Sequence, residues 1–181
     1  MKNLDKRTLF LDRDGVINVL RVNDYVKNVA ELELREDFLK SIPLITSNFG
    51  KVFIVTNQQG IAKGICTQEQ VDMVHRHLLG ILESHGLHID GIYVCPHLAG
   101  SGCKCRKPEP GLAMQAKTDF PDINFTNSVM IGDSSSDMRF GRNCGMETVF
   151  IGNITEENCA DIHADADHIV NSVYQYLSQL P

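Results

Sequence analysis

The stretch Thr8-Leu-Phe-Leu-Asp-Arg-Asp-Gly-Val-Ile17 constrains this chain more than any other. Three apolar residues lead straight into Asp12, with Asp14 two positions on and Gly15 behind it. A short apolar run closed by a Gly-containing turn reads as a buried parallel strand. Both carboxylates then fall where strand becomes loop, the usual ligand crevice of an open α/β sheet. Two carboxylates held that close repel each other unless a cation lies between them or one keeps its proton. The plain alternative is a solvated Asp-x-Asp turn, and this stretch alone does not choose between them.

The remaining pattern alternates strand and helix. Residues 18–35 are polar, with Asn18, Arg21, Asn23, Asp24, Tyr25 and Lys27, and make a loop long enough to overhang a site. Residues 36–48 have helical spacing at Phe38, Leu39, Ile42 and Ile45, with Pro43 as a point where the helix would kink or split. Lys51 to Thr56 is β-branched and strand-like, and runs into Asn57-Gln-Gln-Gly60. Thr67 can cap a helix reaching about Gly86, with Val71, Val74, Leu78, Leu79 and Leu82 inward. Further strands are expected at 89–94, 128–131 and 148–151, with a helix from Pro110 to about Thr118. A short helix is expected after Gly132-Asp-Ser-Ser-Ser-Asp137. The tail from Ile169 to Leu180 reads as a last helix with Val170, Val173, Tyr174 and Leu177 on one face. The predicted fold is therefore α/β: one Rossmann-like three-layer domain over residues 1–181, with a parallel sheet of about five strands. No inter-motif insertion is large enough to form a separate cap domain.

Length and composition narrow the function classes. At 181 residues, the chain suits one well-buried domain and not two ordinary ones. No apolar run has the length of a membrane span, and Met1 to Arg7 lacks the apolar core of a secretory leader. A net charge of −6 argues against a general nucleic-acid surface. A small anionic substrate is still admitted, because a metal and a few placed cations reverse the sign locally. Six cysteines without a leader suggest reduced thiols or metal ligands. The expectation is a cytoplasmic protein, with no membrane or nucleic-acid partner and a monomer as the simplest state.

Four strand ends carry polar chemistry: Asp12/Asp14, Thr56/Asn57, the Arg106-Lys107-Pro108 loop, and Asp133/Asp137. In a parallel sheet these ends converge on one edge. Clustered Asp carboxylates suit a hard, oxygen-loving cation such as Mg²⁺. The Thr56 hydroxyl and Lys107 ammonium would contact phosphate oxygens. Singly, Thr56 reads as a strand-end turn residue and Lys107 as a solvated lysine; their joint placement favours the site. A second set is Cys95-Pro-His97, five residues, then Cys103-Lys-Cys105. Three thiols and an imidazole match a closed tetrahedral Zn²⁺ site, hence a structural one, bracing the loop 95–105 that delivers Arg106 and Lys107. Cys66, Cys144 and Cys159 read as core or incidental thiols, and His75 and His77, two apart on a helix, do not make a metal pair.

Together, Asp12-Arg-Asp-Gly-Val-Ile-Asn18, Val55-Thr-Asn-Gln-Gln-Gly-Ile-Ala62, Cys105-Arg-Lys-Pro108 and Gly132-Asp-Ser-Ser-Ser-Asp137 resemble the four motifs of the haloacid-dehalogenase-like phosphatases. The resemblance is greatest to the branch that includes heptose bisphosphate and histidinol-phosphate phosphatases, which also carries zinc loops. It spans residues 8 to about 151. It implies Asp12 as a nucleophile forming an aspartyl phosphate and Asp14 as general acid and base. By the same resemblance Mg²⁺ is held by Asp12, the backbone carbonyl of Asp14, and Asp133, with Asp137 supporting the site from behind. Thr56, Asn57 and Lys107 would hold the transferring phosphoryl group, with Gln58 and Arg106 as further substrate-binding candidates. The implied substrate is a small sugar phosphate. The Asp-Arg-Asp-Gly-x-Ile-Asn run, Tyr25-Val26 and Gly60-Ile-Ala62 favour a heptose 1,7-bisphosphate, losing its 7-phosphate during nucleotide-activated heptose synthesis. The five-residue spacing between His97 and Cys103 is shorter than in some heptose enzymes and leaves the anomer preference open. Histidinol phosphate is the alternative substrate, and a non-catalytic phosphosugar-binding zinc protein is the alternative of another class.

Overall fold

The computed structural model describes residues 6–180; residues 1–5, where part of the no-leader expectation falls, and residue 181 lie outside the described residues. Six strands form one sheet: β1 (Arg7–Leu11), β2 (Phe49–Asn57), β3 (Gly91–Cys95), β4 (Ser128–Gly132), β5 (Glu147–Ile151) and β6 (His168–Val170). Their spatial order is β3-β2-β1-β4-β5-β6, and all neighbours pair in parallel. The helices are α1 (Glu36–Asn48), α2 (Gln68–Ser84), α3 (Gly111–Asp119), α4 (Ser135–Cys144), α5 (Cys159–Asp165) and α6 (Val173–Leu177). The chain order reverses across β1 and β4, so the crevice beyond their carboxyl ends is where this topology places a ligand.

Strand alternation divides the core into two faces. Leu9, Leu11, Val52, Ile54, Val129 and Ile131 pack with α1, α2 and α6 through Phe38, Ile45, Leu78, Leu82 and Leu177. Phe10, Phe53, Val55 and Met130 point the other way, against Leu112, Ala113 and Ala116 of α3 and Phe140 of α4. Each large side chain buried this way contributes about 1.5–3 kcal/mol. This is the expected three-layer α/β arrangement, and both sides of β1 are anchored. Asp12 extends that anchoring, its backbone N–H donating to Ile131 O at 2.9 Å.

Pro43 does not split α1, which runs unbroken across it. Thr67 and Gln70 close a reciprocal capping box at the start of α2, satisfying two backbone donors there. The expectation that needs correcting is the tail. Residues 168–170 form a sixth strand, and the last helix is only Val173–Leu177. Tyr174 is exposed, and Tyr176 takes the inward place beside Val173 and Leu177. Asp167 explains the difference: its backbone N–H donates to Thr148 O, and its carboxylate accepts from Thr148 N, so the chain is already paired to β5 where 168 begins. Segment 18–28 stays non-regular, although Val19 N donates to Glu33 O and Arg35 N to Ile17 O, closing the loop at its base. Its middle is tied down by Tyr25, which lies beneath the Lys63 ammonium and accepts a 3.1 Å hydrogen bond from it.

Candidate active site

At the end of β1 the chain makes a turn that only glycine fits. Gly15 has φ of +86°, and a Cβ there would lie 1.8 Å from Asp133 Oδ2. Removing that Cβ lets Asp133, one residue past β4, reach across to the β1 turn. Arg35 braces the same turn by donating to Gly15 O at 3.0 Å. Gly132 serves the next approach: a Cβ on it would stand 2.2 Å from Asp137 Cβ. Asp137 caps α4 by accepting from Ser134 N at 3.1 Å and Ser134 Oγ at 2.5 Å.

Asp12, Asp133 and Asp137 thus meet with one carboxylate oxygen each within 4.8 Å of the others. Lys107 enters from the loop after β3, its Nζ 2.6 Å from Asp12 Oδ1, 2.6 Å from Asp137 Oδ1 and donating to Val55 O at 2.8 Å. It is 3% exposed. Burial opposes its charge, but the Asp12 and Asp137 carboxylates outweigh that and hold it protonated, above its ordinary range. One ammonium does not neutralise three carboxylates. Burial, then the neighbouring carboxylates, push Asp12 up to about 7 against the pull of Lys107, and Asp133 up to about 8. An all-oxygen set under this mutual repulsion is chemically suited to a hard divalent cation.

That strain has a measurable sign. Protonated carboxyls escape the penalty, so the protein stripped of divalent ions keeps this share of its stability below about pH 4. It loses that share as the pH rises through about 7 and about 8. The melting temperature in chelator is expected to fall between about pH 6 and pH 9, and added Mg²⁺ to raise it more at the upper end. A melting temperature that rises over this range in chelator would contradict the assigned repulsion.

Asp14 is separate from this cluster. Its carboxylate accepts from Arg13 Nη2 at 2.9 and 2.7 Å, from Asn18 Nδ2 at 3.0 Å and from Gln58 Nε2 at 3.0 Å. Burial works against its charge, yet Arg13, Asn18 and Gln58 together hold it below the usual carboxylate range. Gln58 also donates to Thr56 Oγ1 at 2.6 Å, linking the β2 end to Asp14. The Asn57 side chain makes a reciprocal pair with the Lys107 backbone, donating to its O at 3.2 Å and accepting from its N at 3.1 Å. Arg106 is half-buried, donating to His97 O at 3.4 Å.

Cys95, the last residue of β3, starts a second cluster. Cys95, His97, Cys103 and Cys105 present their ligand atoms within 4.8 Å of one another. Cys105 Sγ lies 3.2 Å from Cys95 Sγ and 3.1 Å from His97 Nδ1, and Cys103 Sγ lies 3.7 Å from Cys95 Sγ. Burial raises the Cys95 thiol to about 12, whereas the Ser101 hydroxyl leads in lowering Cys103 to about 6. Four converging soft donors form a group able to hold a metal ion.

Two residues that sequence reading passed over belong to this site. Arg13 is buried to 1% exposure at the centre of the Asp14 network, and its Nη1 lies 3.0 Å from Nε2 of buried His75. His75 stands four residues after Val71 and three before Leu78, so its place on the inward stripe of α2 was the available cue. Arg13 offered none, because an arginine between two aspartates reads as a solvated turn.

Comparison with known proteins gives the site a family. Residues 104–176 match the HAD-hydrolase-like family model. The chain is 37% identical over 163 residues to D-glycero-alpha-D-manno-heptose-1,7-bisphosphate 7-phosphatase of Mycobacterium tuberculosis, covering 87% of this chain and 86% of the relative. It is 36% identical over 150 residues to the corresponding beta-heptose enzyme of Vibrio cholerae, covering 79% of each chain. The crystal structure of D,D-heptose 1,7-bisphosphate phosphatase from B. bronchiseptica, complexed with magnesium and phosphate, superposes with a TM-score of 0.81 at 25% identity. That match covers 96% of this chain and 97% of the other. Identity at this level across most of both chains is kinship, and this chain belongs to the HAD-like phosphatases, in the branch of the heptose-bisphosphate enzymes.

Proposed function

We propose that this phosphatase removes the 7-phosphate of D-glycero-D-manno-heptose 1,7-bisphosphate, a cytoplasmic step towards nucleotide-activated heptose. The observation that supports this most is the 36–37% identity to enzymes named for that reaction, over most of each chain. In this reading Asp12 attacks phosphorus, and the bond from phosphorus to the C7 oxygen breaks. The departing alkoxide takes a proton from Asp14, which must first gain that proton from solvent, because its donors hold it ionised in the resting site. Water then attacks the aspartyl phosphate and returns a proton to Asp14, freeing phosphate and restoring Asp12. Lys107 and the Thr56 hydroxyl hold phosphoryl oxygens. Asn57 and Gln58 act by holding Lys107 and Asp14 in place, since their side chains are already paired to them.

Asp12, Asp133 and the backbone carbonyl of Asp14 would hold Mg²⁺. When bound, it offsets the repulsion between the carboxylates and the phosphoryl oxygens. Asp137 contributes through its contact with Lys107. Cys95, His97, Cys103 and Cys105 would hold a structural Zn²⁺, and Arg106, just beyond them, would meet the far part of the sugar through its planar fork. Steady-state turnover of both heptose bisphosphate anomers and of histidinol phosphate with Mg²⁺ tests the substrate. One heptose anomer is expected to exceed histidinol phosphate by about 100-fold or more in kcat/KM. Equal or faster turnover of histidinol phosphate overturns the assignment.

A further inference from the structure

His75 has no part in the steps above, yet it is 6% exposed and its ring faces the underside of the β1 turn. Arg13 has only donors to offer, so Nε2 of His75 must be the acceptor and the ring proton must lie on Nδ1. The ring is neutral: burial, reinforced by the Arg13 charge, pushes it down to about 4. This neutral acceptor is important to Arg13. The guanidinium is nearly inaccessible, and its Nε has no hydrogen-bond partner among the described residues. What orients the plane is therefore its two ends, Nη1 on His75 at 3.0 Å and Nη2 on Asp14, with Gln58 Oε1 accepting at 3.2 Å.

We propose that His75 is a positioning residue for the acid–base step: by accepting from Arg13 Nη1 it fixes the guanidinium whose Nη2 clamps Asp14. This rests on the proposed role of Asp14. Without the imidazole, Nη1 joins Nε as a buried donor with nothing to bond, and the cheapest relief is for the guanidinium to turn. Turning removes the shared hydrogen bond on both Asp14 oxygens. The carboxyl then no longer meets the leaving oxygen in one orientation, and orientation of a proton donor matters most where the leaving group most needs a proton.

The test compares a primary sugar phosphate with p-nitrophenyl phosphate, whose phenolate departs without help. It uses the whole Mg²⁺-loaded enzyme, reading kcat/KM, which reports the first phosphoryl transfer. His75→Met, similar in bulk but lacking a good acceptor, is expected to lose about 30-fold on the sugar phosphate and less than about threefold on the aryl ester. His75→Gln, which restores an acceptor, is expected to recover most of the loss, and it remains informative if the Met variant does not fold. Equal losses on the two esters, or none on either, overturn the role of His75. Asp14→Asn is the control, expected to show the same skew more strongly. Absence of skew in Asp14→Asn would remove the acid–base role itself, a failure distinguishable from that of His75. The sugar phosphate is heptose bisphosphate, or the best primary phosphate of a panel if that substrate is refused.

Discussion

Asp12→Asn is expected to abolish phosphate release, by about three orders of magnitude or more, while the protein still folds. An amide oxygen is too weak a nucleophile to attack phosphorus, so under the proposed mechanism the change removes the bond-forming atom and almost nothing else. The shape is kept, and the new Oδ1 can still accept from Lys107 Nζ, which now sits 2.6 Å from the carboxylate oxygen. The charge change even relieves the cluster. Asp12 is among the carboxylates that raise Asp133, so its neutralisation is expected to lower the Asp133 pKa and stabilise the chelated protein at alkaline pH. Loss of activity with gain of metal-free stability is an unusual pairing, and it separates a lost nucleophile from a damaged fold. Rapid-quench trapping of a base-labile phosphoenzyme in the wild type, absent in Asp12→Asn, locates the covalent step. Activity near wild type in the variant would mean that Asp12 is not the attacking group.

What could be read in advance follows from which forces are local. β1, β2 and β4 were legible because a central parallel strand is buried on both faces and so reads as a continuous apolar run, as in Leu9-Phe10-Leu11 and Val52 to Val55. β6 was not legible. It is three residues on the sheet edge, and two of them, His168 and Ile169, are exposed, so no apolar run marks it. Its tie to β5 comes from Asp167 and Thr148, nineteen residues apart, a pairing invisible to any local window. The cluster was readable because Asp12 and Asp133 directly follow apolar strands, while Lys107 and Asp137 belong to the loop after β3 and the helix after β4, and topology brings those strand ends together. Arg13 and His75 were harder. Their meaning lies in a contact between a turn and the inner face of α2, sixty-two residues apart, where each alone looks ordinary. On the proposed roles the two groups also differ in kind: motif spacing points to the atoms that would react, and buried hydrogen bonds point to those that would aim them.

Cys105→Ser is expected to take the metal, the loop and most of the activity together. Serine keeps the size but is a poor ligand for the soft metal that three thiolates and an imidazole favour, so metal content should fall from about one equivalent to near zero. The loss of stability should be several kcal/mol, smaller than the 10 kcal/mol or more, roughly, that zinc contributes where no other core exists. Here Cys95 is the end of β3, and the apolar layer of Phe53, Val55, Leu112 and Ala116 beneath it does not depend on the ion. The cost falls instead on residues 96–107, which bury few apolar side chains of their own. Lys107 lies two residues past Cys105, and its ammonium must reach both Asp12 and Asp137 at 2.6 Å. Asn57 holds the Lys107 backbone from the β2 side, so the lysine is positioned by two anchors, one of which the variant removes. A shift of about 1 Å in such a group costs about 100-fold in rate. Activity should therefore fall by about that factor in a protein whose far-ultraviolet circular dichroism is nearly unchanged. Unchanged metal content and an unchanged melting temperature would remove the metal from the loop, and lost metal with full activity would show that Asn57 alone suffices to hold Lys107.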